Sequence, residues 1–324
     1  MVVAIIILLI LVIAVFGGLY WSYHKTFYST TKDMDETDGP AVIMKHPYSA
    51  VARENIKKLA DTPCQFVHTR SFDGLRLSGR YYEGREDMPL CICFHGYRGS
   101  ALRDFSACGL FLMREGYNVL LIDERAHWRS QGHTISFGIN ERFDVMSWLR
   151  FAERRFGADK PVNLFGISMG GGTVLMASGQ NLPESVKCIV ADCPFNSPKD
   201  IIKHVCRKVK LNPELSWPLV WAAAHVYGHF DINATTAAEE VKKTTVPILI
   251  IHGEGDNFVP MSMSEEVYDA NPEMITRYTI PEAGHGLSYY YDTERYEKIV
   301  LDFLHEHDRE EAGETDDEKD DSAE

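Results

Sequence analysis

The feature that most restricts the fold is an alternation of short apolar runs and helical stretches between residues 88 and 308. Strands buried on both faces of a parallel sheet are typically continuous apolar runs that end in glycine or polar residues. MPLCICFHG is such a run, and five further strand-like segments follow it: YNVLLIDE, VNLFGIS, VKCIVAD, VPILIIHGEGD and ITRYTIPEAG. Because helical stretches separate them, the sequence predicts an α/β fold with a mostly parallel central sheet flanked by helices.

A hairpin and a cap are predicted around this alternation. CQFVHTR and LRLSGRYYE are separated by residues 71–74, which end in the turn-forming pair Asp73 and Gly74 and predict an antiparallel hairpin. Residues 194–240 are too long for a simple connection between two strands and contain two stretches with helical character. Long insertions at this edge of a sheet usually cover a pocket, so residues 194–240 are predicted to form a helical cap.

Basic residues recur within the cap at helical spacing. Lys199, Lys203 and Arg207 lie four residues apart, and Lys208 and Lys210 follow them. Such a row is typical of a solvated helix face. It is also compatible with a surface that meets a membrane or the acidic C-terminus.

The N-terminal segment predicts a membrane anchor. Residues 2–20 contain neither a charge nor a proline and would form about 28 Å of helix, which matches the hydrocarbon core of a bilayer. Tyr20, Trp21 and Tyr23 stand where an interfacial aromatic belt would be. A cleaved signal peptide is the competing interpretation, but the segment lacks a basic region before it and a small-residue cleavage motif after it. We therefore expect an uncleaved transmembrane helix.

Charge and cysteine usage indicate the side of the membrane. No Lys or Arg precedes the apolar segment, whereas Lys25 and Lys32 follow it, which favours a body on the cytoplasmic side. The seven cysteines are odd in number and lie mostly in strand-like runs, as reduced thiols in a reducing compartment would. No CxxC pair is present, so a zinc or thioredoxin-type site is not predicted, and no metal or organic cofactor is expected.

The net charge of −14 is distributed unevenly. Residues 306–324 contain eleven acidic residues and two basic ones, so they are predicted to be a disordered, solvated terminus, with a docking tail as the alternative. Neither the composition nor a basic stripe suggests a nucleic-acid partner. The predicted organisation is an anchor at residues 1–24, a linker with a short helix at residues 25–60, an enzyme domain at residues 61–308 and a tail at residues 309–324.

One serine stands among glycines at the end of a predicted strand. GISMG, residues 166–170, places Ser168 where the buried strand VNLFG passes into the helix MGGGTVLMAS. A strand–turn–helix with the pattern G-x-S-x-G is the nucleophile elbow, in which a tight turn exposes the serine hydroxyl. Residues two positions before and after the serine are crowded, so Gly166 and Gly170 are needed because they lack a Cβ. Ser168 is therefore the predicted nucleophile.

A serine hydroxyl needs a base, and the base needs a carboxylate to orient it. Asp256 follows a predicted strand in IIHGEGDNFVP, and His285 follows the next one in PEAGHGLSYY. The chain order Ser168, Asp256, His285 is the order that accompanies this elbow. Glu254 is the alternative carboxylate and Asp192 a further one.

Two backbone donors for a developing oxyanion are predicted at the same edge of the sheet. The amide of Met169 begins the helix after the nucleophile, where the helix dipole favours an anion. The amide of Tyr97 follows His95 and Gly96 in the turn CFHGYRGS. His95 is expected to brace this loop through a hydrogen bond, and Arg98 is either a surface residue or a ligand for a substrate carboxylate.

Residues 64–308 resemble the α/β-hydrolase superfamily, in the branch of serine aminopeptidase-like and esterase- or lipase-like bacterial hydrolases. The motifs that carry the resemblance occur in the family's order: HGYRGS, DERAHWRSQG, GISMGG, HGEGDNFVP and AGHG. One motif departs from the family. Where many relatives have D-x-R-G-x-G-x-S, this chain has Ala126 and Trp128 in place of the two glycines. His127, Trp128 and His133 either line the substrate site or serve in packing.

The sequence thus predicts a membrane-anchored serine hydrolase that cleaves carboxylic esters of a small-molecule substrate. A small-peptide hydrolase and an acyltransferase of the same fold are the enzymatic alternatives. A membrane-anchored binding or scaffold protein is the non-enzymatic alternative, although such a protein has no use for a strained serine.

Overall fold

The computed structural model describes residues 1–31, 37 and 47–308. Residues 32–36 and 38–46 of the predicted linker and the whole predicted acidic tail, residues 309–324, lie outside the described residues.

Eight strands form one sheet. In chain order they are β1 Gln65–Arg70, β2 Arg76–Tyr82, β3 Leu90–Phe94, β4 Asn118–Asp123, β5 Val162–Ile167, β6 Val186–Asp192, β7 Ile248–Gly253 and β8 Ile275–Ile280. The order across the sheet is β1-β2-β4-β3-β5-β6-β7-β8. The pairs β1/β2 and β2/β4 are antiparallel, and every other neighbouring pair is parallel. The predicted hairpin and the mostly parallel sheet are both confirmed.

Helices cover both faces of this sheet. They are α1 Val2–Thr26, α2 Ser49–Asp61, α3 Ala101–Asp104, α4 Cys108–Arg114, α5 Glu141–Phe156, α6 Met169–Ala177, α7 Pro198–Lys208, α8 Pro213–Ala223, α9 Ala237–Glu240, α10 Met261–Ala270, α11 Ser288–Tyr291 and α12 Thr293–Asp308. A π-helical turn, Ala224–Gly228, continues α8, and a 3₁₀ turn, Val241–Lys243, continues α9.

The apolar strand residues divide between two cores because alternate side chains point to opposite faces. In β3, Ile92 packs into one core, while Cys91 and Cys93 are fully buried in the other. All seven cysteines are free thiols. The carboxyl ends of β3, β5, β7 and β8 meet at one edge of the sheet, which brings the loops that follow them together.

The cap consists of α7, α8 and the turns after them. Each cap helix begins at a side chain that caps free backbone N–H groups: Ser197 accepts from the amide of Asp200, and Asn212 accepts from the amides of Glu214 and Leu215. A proline follows each capping residue, where its missing N–H costs nothing.

Helix α1 is long and apolar enough to span a membrane. Its most apolar stretch of 18 residues has a mean hydropathy of 3.3, and only 6% of that stretch is buried by the rest of the protein. The residues after it, predicted as the start of a linker, instead pack on the body. Phe27 is fully buried against Phe137 and Phe230, and Tyr28 pairs with Thr134 in a β-bridge. Apolar side chains explain the difference, since a solvated linker would leave them exposed.

Candidate active site

Ser168 occupies a sharp turn between β5 and α6. Its backbone has φ 55° and ψ −112°, a conformation that residues other than glycine rarely adopt. A Cβ on Gly166 would collide with the carbonyl oxygen of Gly170, and a Cβ on Gly170 would collide with that of Phe94. The two glycines thus permit the close approach that holds the serine in a strained turn.

Ser168, His285 and Asp256 form one hydrogen-bonded line. The Ser168 Oγ lies 2.9 Å from the Nε2 of His285, and the Nδ1 of that ring lies 2.7 Å from the Oδ2 of Asp256. A carboxylate can only accept, so Nδ1 carries the proton and Nε2 is free to accept from the serine hydroxyl. The geometry suits a base that removes the serine proton.

The Asp256 carboxylate is fixed from several sides. Its Oδ1 accepts the amides of Phe258 at 2.7 Å and Val259 at 2.9 Å. Burial alone would raise the pKa of this carboxyl, but hydrogen bonds from His252 and His285 and the charge of His285 outweigh burial and hold the pKa well below its usual range. The carboxylate is therefore ionised at neutral pH.

His252 is a residue that sequence reasoning missed. It is fully buried, and its Nε2 lies 3.0 Å from the carbonyl oxygen of Val259 and 3.4 Å from the Oδ2 of Asp256. It thus supports the turn that presents the carboxylate. The sequence signal that could have indicated it is its position near the end of β7, four residues before Asp256 in HGEGD.

The two alternative carboxylates do not reach His285. Glu254 points outward, where it accepts a hydrogen bond from the Thr279 hydroxyl. Asp192 is buried beside Ser288, whose hydroxyl donates to it, and burial raises the pKa of Asp192 to about 6. Of the three candidates, the structure brings only Asp256 to the histidine.

The amides of Tyr97 and Met169 are free to bind an anion. Within the described part of the chain, neither N–H has a protein acceptor. A Cβ built on Gly96 would lie 3.4 Å from the Cβ of Ser168, so the loop that carries Tyr97 lies directly against Ser168. Unpartnered amides at such a place fit the predicted oxyanion site.

Two buried histidines brace that loop. The Nε2 of His95 accepts the amide of Glu124 at 3.1 Å, and the Nε2 of His127 accepts the amide of Arg98 at 3.1 Å. Burial lowers the pKa of His95 to about 4 and that of His127 well below its usual value, so both rings are neutral acceptors. The structure thus gives His95 the bracing contact expected of it and gives His127 a similar one.

Three further residues of this region lie in packing rather than in the site. The indole Nε1 of Trp128 donates to the carbonyl oxygen of Gly99 at 2.7 Å, and His133 stacks on Tyr28. Arg98 donates to the carbonyl oxygens of Lys25 and Tyr28.

Ala126 and Trp128 replace the two glycines that many relatives have, and the structure shows the consequence. They adopt φ 67° and 42°, respectively. The left-handed turn that glycine would permit is therefore kept with side chains present.

A cavity of about 600 Å³ opens over Ser168. Its walls come from three places: the loops of the sheet edge, the cap helices α7 and α8, and the last turns of α1. The lining is almost entirely apolar. Among the described residues that line it, Lys25 is the sole one with a charge at neutral pH, and none is acidic.

One group of side chains has the donor atoms of a metal site. Ligand atoms of Cys193, Asp256 and His285 lie within 4.8 Å of one another. Two of the three are already bonded to each other, and burial raises the pKa of the Cys193 thiol well above its usual value, whereas a metal needs the thiolate. We therefore assign Asp256 and His285 to the hydrogen-bonded line with Ser168 and not to a metal site.

Comparisons with known proteins agree with this architecture. A family model described as the alpha/beta hydrolase fold matches residues 89–212. An uncharacterized protein of Bacillus subtilis, YqkD, is 28% identical over 229 residues, which cover 69% of this chain and 74% of that protein. A bifunctional esterase/perhydrolase of Acinetobacter calcoaceticus is 26% identical over 227 residues, which cover 56% of this chain and 79% of the other.

Among solved structures, an esterase from Pyrococcus furiosus superimposes with a TM-score of 0.63 at 21% identity, covering 83% of this chain and 97% of the esterase. The match extends beyond the segment that the family model covers, to most of the sheet and its helices. The family model and the structural likeness together show that this chain has the α/β-hydrolase fold.

Proposed function

We propose that the protein is a membrane-anchored serine hydrolase that cleaves carboxylic esters. The observation that carries the proposal is the line Ser168–His285–Asp256 beneath an apolar cavity, with hydrogen-bond distances of 2.9 and 2.7 Å. A buried, strained serine bonded to an oriented histidine is costly to maintain for packing alone. It fits a nucleophile.

The reaction proceeds in two halves. The Nε2 of His285 takes the proton of Ser168 as its Oγ attacks the ester carbonyl, and the amides of Tyr97 and Met169 hold the resulting oxyanion. Collapse of this intermediate breaks the ester bond, and the leaving alcohol receives the proton from His285. Water then attacks the acyl-serine with the same histidine as base, which releases the acid and restores Ser168. Asp256 holds the imidazole tautomer and stabilises its charged form throughout.

The lining of the cavity favours esters over peptides. A hydrolase that selects the amino terminus of a peptide needs a carboxylate to receive its ammonium group, and the described residues that line the cavity include none. Apolar walls instead suit an acyl chain. The curated relative from Acinetobacter carries the name esterase/perhydrolase, which is consistent with this choice.

Covalent labelling tests the nucleophile. We expect the full-length chain, purified in detergent, to react with a fluorophosphonate probe, and the Ser168→Ala and His285→Ala variants to lose this reaction. Ser178→Ala is the matched control, since Ser178 is buried at the end of α6 and bonds only to backbone. Equal labelling of Ser168→Ala and wild type would overturn the assignment, and a folded wild type without labelling would favour the binding-protein alternative.

Topology is a separate part of the proposal. Lys25 and Lys32 directly follow the apolar segment, and all seven cysteines are free thiols, so we place the body on the cytoplasmic side. In intact cells, a membrane-impermeant maleimide should leave a cysteine introduced at Glu273, an exposed residue of the body, unmodified until the membrane is opened. Modification before opening would place the body outside.

A further inference from the structure

Helix α1 has two environments along its length. Its first part is exposed on all sides, as a helix surrounded by lipid would be: Phe16 is 50% exposed. From Leu19 onward one face is covered by the body, and Leu19, Ser22 and Tyr23 are buried. The same continuous helix thus passes from the membrane-spanning segment into the hydrolase domain.

The last turns of α1 form a wall of the cavity over Ser168. Trp21, Ser22, Lys25 and Thr26 line it opposite the cap helices α7 and α8. The cap is attached to this wall through Tyr227, which packs on Tyr20 and Tyr23 and donates a hydrogen bond to the backbone of Phe16. The shape of the cavity therefore depends on where α1 sits.

The end of α1 is also tied to the loop that supplies the Tyr97 amide. The Tyr97 hydroxyl donates to the carbonyl oxygen of Thr26 at 2.8 Å, and the Arg98 guanidinium donates to those of Lys25 and Tyr28. Carbonyl groups at a helix end lack partners within the helix, so these contacts satisfy them. The end of α1 therefore forms part of the cavity wall and also holds the loop that carries Tyr97, which we call the oxyanion loop.

An apolar rim surrounds the mouth between α1 and the cap. Four cap residues both line the cavity and stay exposed: Val209, Leu211, Leu215 and Leu219, at 60%, 47%, 79% and 37%. Trp221, also exposed, continues this rim along α8. Contiguous exposed apolar side chains mark an interaction surface. Lys208 and Lys210 flank Val209, a placement typical of segments that lie in a lipid interface.

We propose that α1 and α8 frame a lateral entrance through which a lipid ester passes from the bilayer to Ser168. The apolar rim lies in the membrane interface, continuous with the lipid-exposed part of α1, and one acyl chain of the substrate occupies the cavity. Lys25 is exposed at the mouth and has no ion pair within the described residues, so it receives an anionic headgroup. This inference names the substrate class of the proposed esterase and rests on that function.

The wall is tested with soluble substrates in detergent micelles, using 4-nitrophenyl esters of increasing chain length. Removing the Trp21 ring enlarges the cavity, so Trp21→Ala should shift the preferred acyl chain to greater length and change relative kcat/KM values roughly tenfold. Phe16→Ala is the matched control, because Phe16 lies on α1 outside the cavity. Identical chain-length profiles for Trp21→Ala and wild type would overturn the assignment of α1 as a wall.

The entrance is tested in nanodiscs with long-chain monoacyl esters that carry a neutral or an anionic headgroup. Leu215→Glu should lower the rate on bilayer substrates roughly tenfold more than the rate on a soluble short-chain ester, because a carboxylate is costly in the interface. Val51→Glu is the matched control, since Val51 is 51% exposed on α2. Equal losses for the two variants would overturn the entrance.

Lys25→Met tests the headgroup. It should abolish a preference for the anionic ester without changing the chain-length profile, and a preference that survives would overturn the role of Lys25. Fluorophosphonate labelling is measured in the same samples. A labelled enzyme with wild-type behaviour in every variant would refute the inference alone, whereas a folded but unlabelled wild type would refute the proposed function itself.

Discussion

The elbow around Ser168 and the junction between α1 and the cap line the same cavity but are held in place by different means. At the elbow, backbone approaches backbone so closely that Gly166 and Gly170 cannot be replaced. At the junction, aromatic side chains such as Tyr23 and Phe27 pack against residues distant in sequence. The elbow can therefore be recognised from residues that are neighbours in the sequence. The junction depends on contacts between segments that are distant in the sequence.

The largest expected effect separates chemistry from strain at the elbow. Ser168→Ala and Ser168→Gly both remove the proposed nucleophile, so we expect each to lower kcat by roughly 10⁴ to 10⁶-fold. Glycine also relieves the φ of 55°, so Ser168→Gly should be about 1 kcal/mol more stable than Ser168→Ala in urea unfolding. If Ser168→Gly is the less stable variant, the turn is not strained.

The carboxylate behind His285 should have the next largest effect. Asp256→Asn keeps the shape but reverses the hydrogen-bond preference at Nδ1, so we expect kcat to fall by roughly 10³ to 10⁴-fold with little change in KM. Glu254→Gln is the control, because Glu254 contacts Thr279 and not His285. A comparable loss in Glu254→Gln would show that the carboxylates are wrongly assigned.

The site was more predictable than its surroundings, for a physical reason. Ser168, Asp256 and His285 follow strands whose ends must meet at one edge of a parallel sheet. The apolar runs and glycines were therefore enough to predict that the three residues lie close together. The packing of residues 25–31 on the body was not predicted, since nothing local in SYHKTFYST indicates that Phe27 will meet Phe230. His252 was missed because its place four residues before Asp256 is only a weak signal, and the turn between them decides whether the two side chains meet.

Phe27 tests the other half of the comparison. Its side chain is fully buried between Phe137 and Phe230, so Phe27→Ala should lower the free energy of unfolding by about 3–5 kcal/mol, as for a core phenylalanine. Phe16→Ala, a control on the exposed part of α1, should change it by less than about 0.5 kcal/mol. Both are measured by denaturant unfolding in detergent. If Phe27→Ala were as stable as the wild type, residues 25–31 would be a linker that does not pack on the body.

The oxyanion loop lies beside the elbow, but side chains, including His95, hold it in place. The titration of His95 should therefore make the stability of the protein depend on pH. The pKa of His95 is lowered to about 4 by burial, while an unfolded chain binds that proton near pH 6.5. The unfolded state therefore takes up more protons as the pH falls from 6.5 towards 4, and stability is lost over that range. Between pH 7 and pH 5 this loss is about 2 kcal/mol for one histidine.

The variant His95→Gln measures how much His95 contributes to the loss of stability at low pH. Glutamine can still accept the Glu124 amide but does not titrate, so the unfolding free energy of this variant should fall by about 2 kcal/mol less between pH 7 and pH 5 than that of the wild type. Asp192 opposes the trend in both proteins, since its pKa is raised to about 6 and protonation favours the folded state, so its effect cancels in the comparison. Parallel pH profiles would mean that His95 is solvated in the folded protein and does not brace the loop that carries Tyr97.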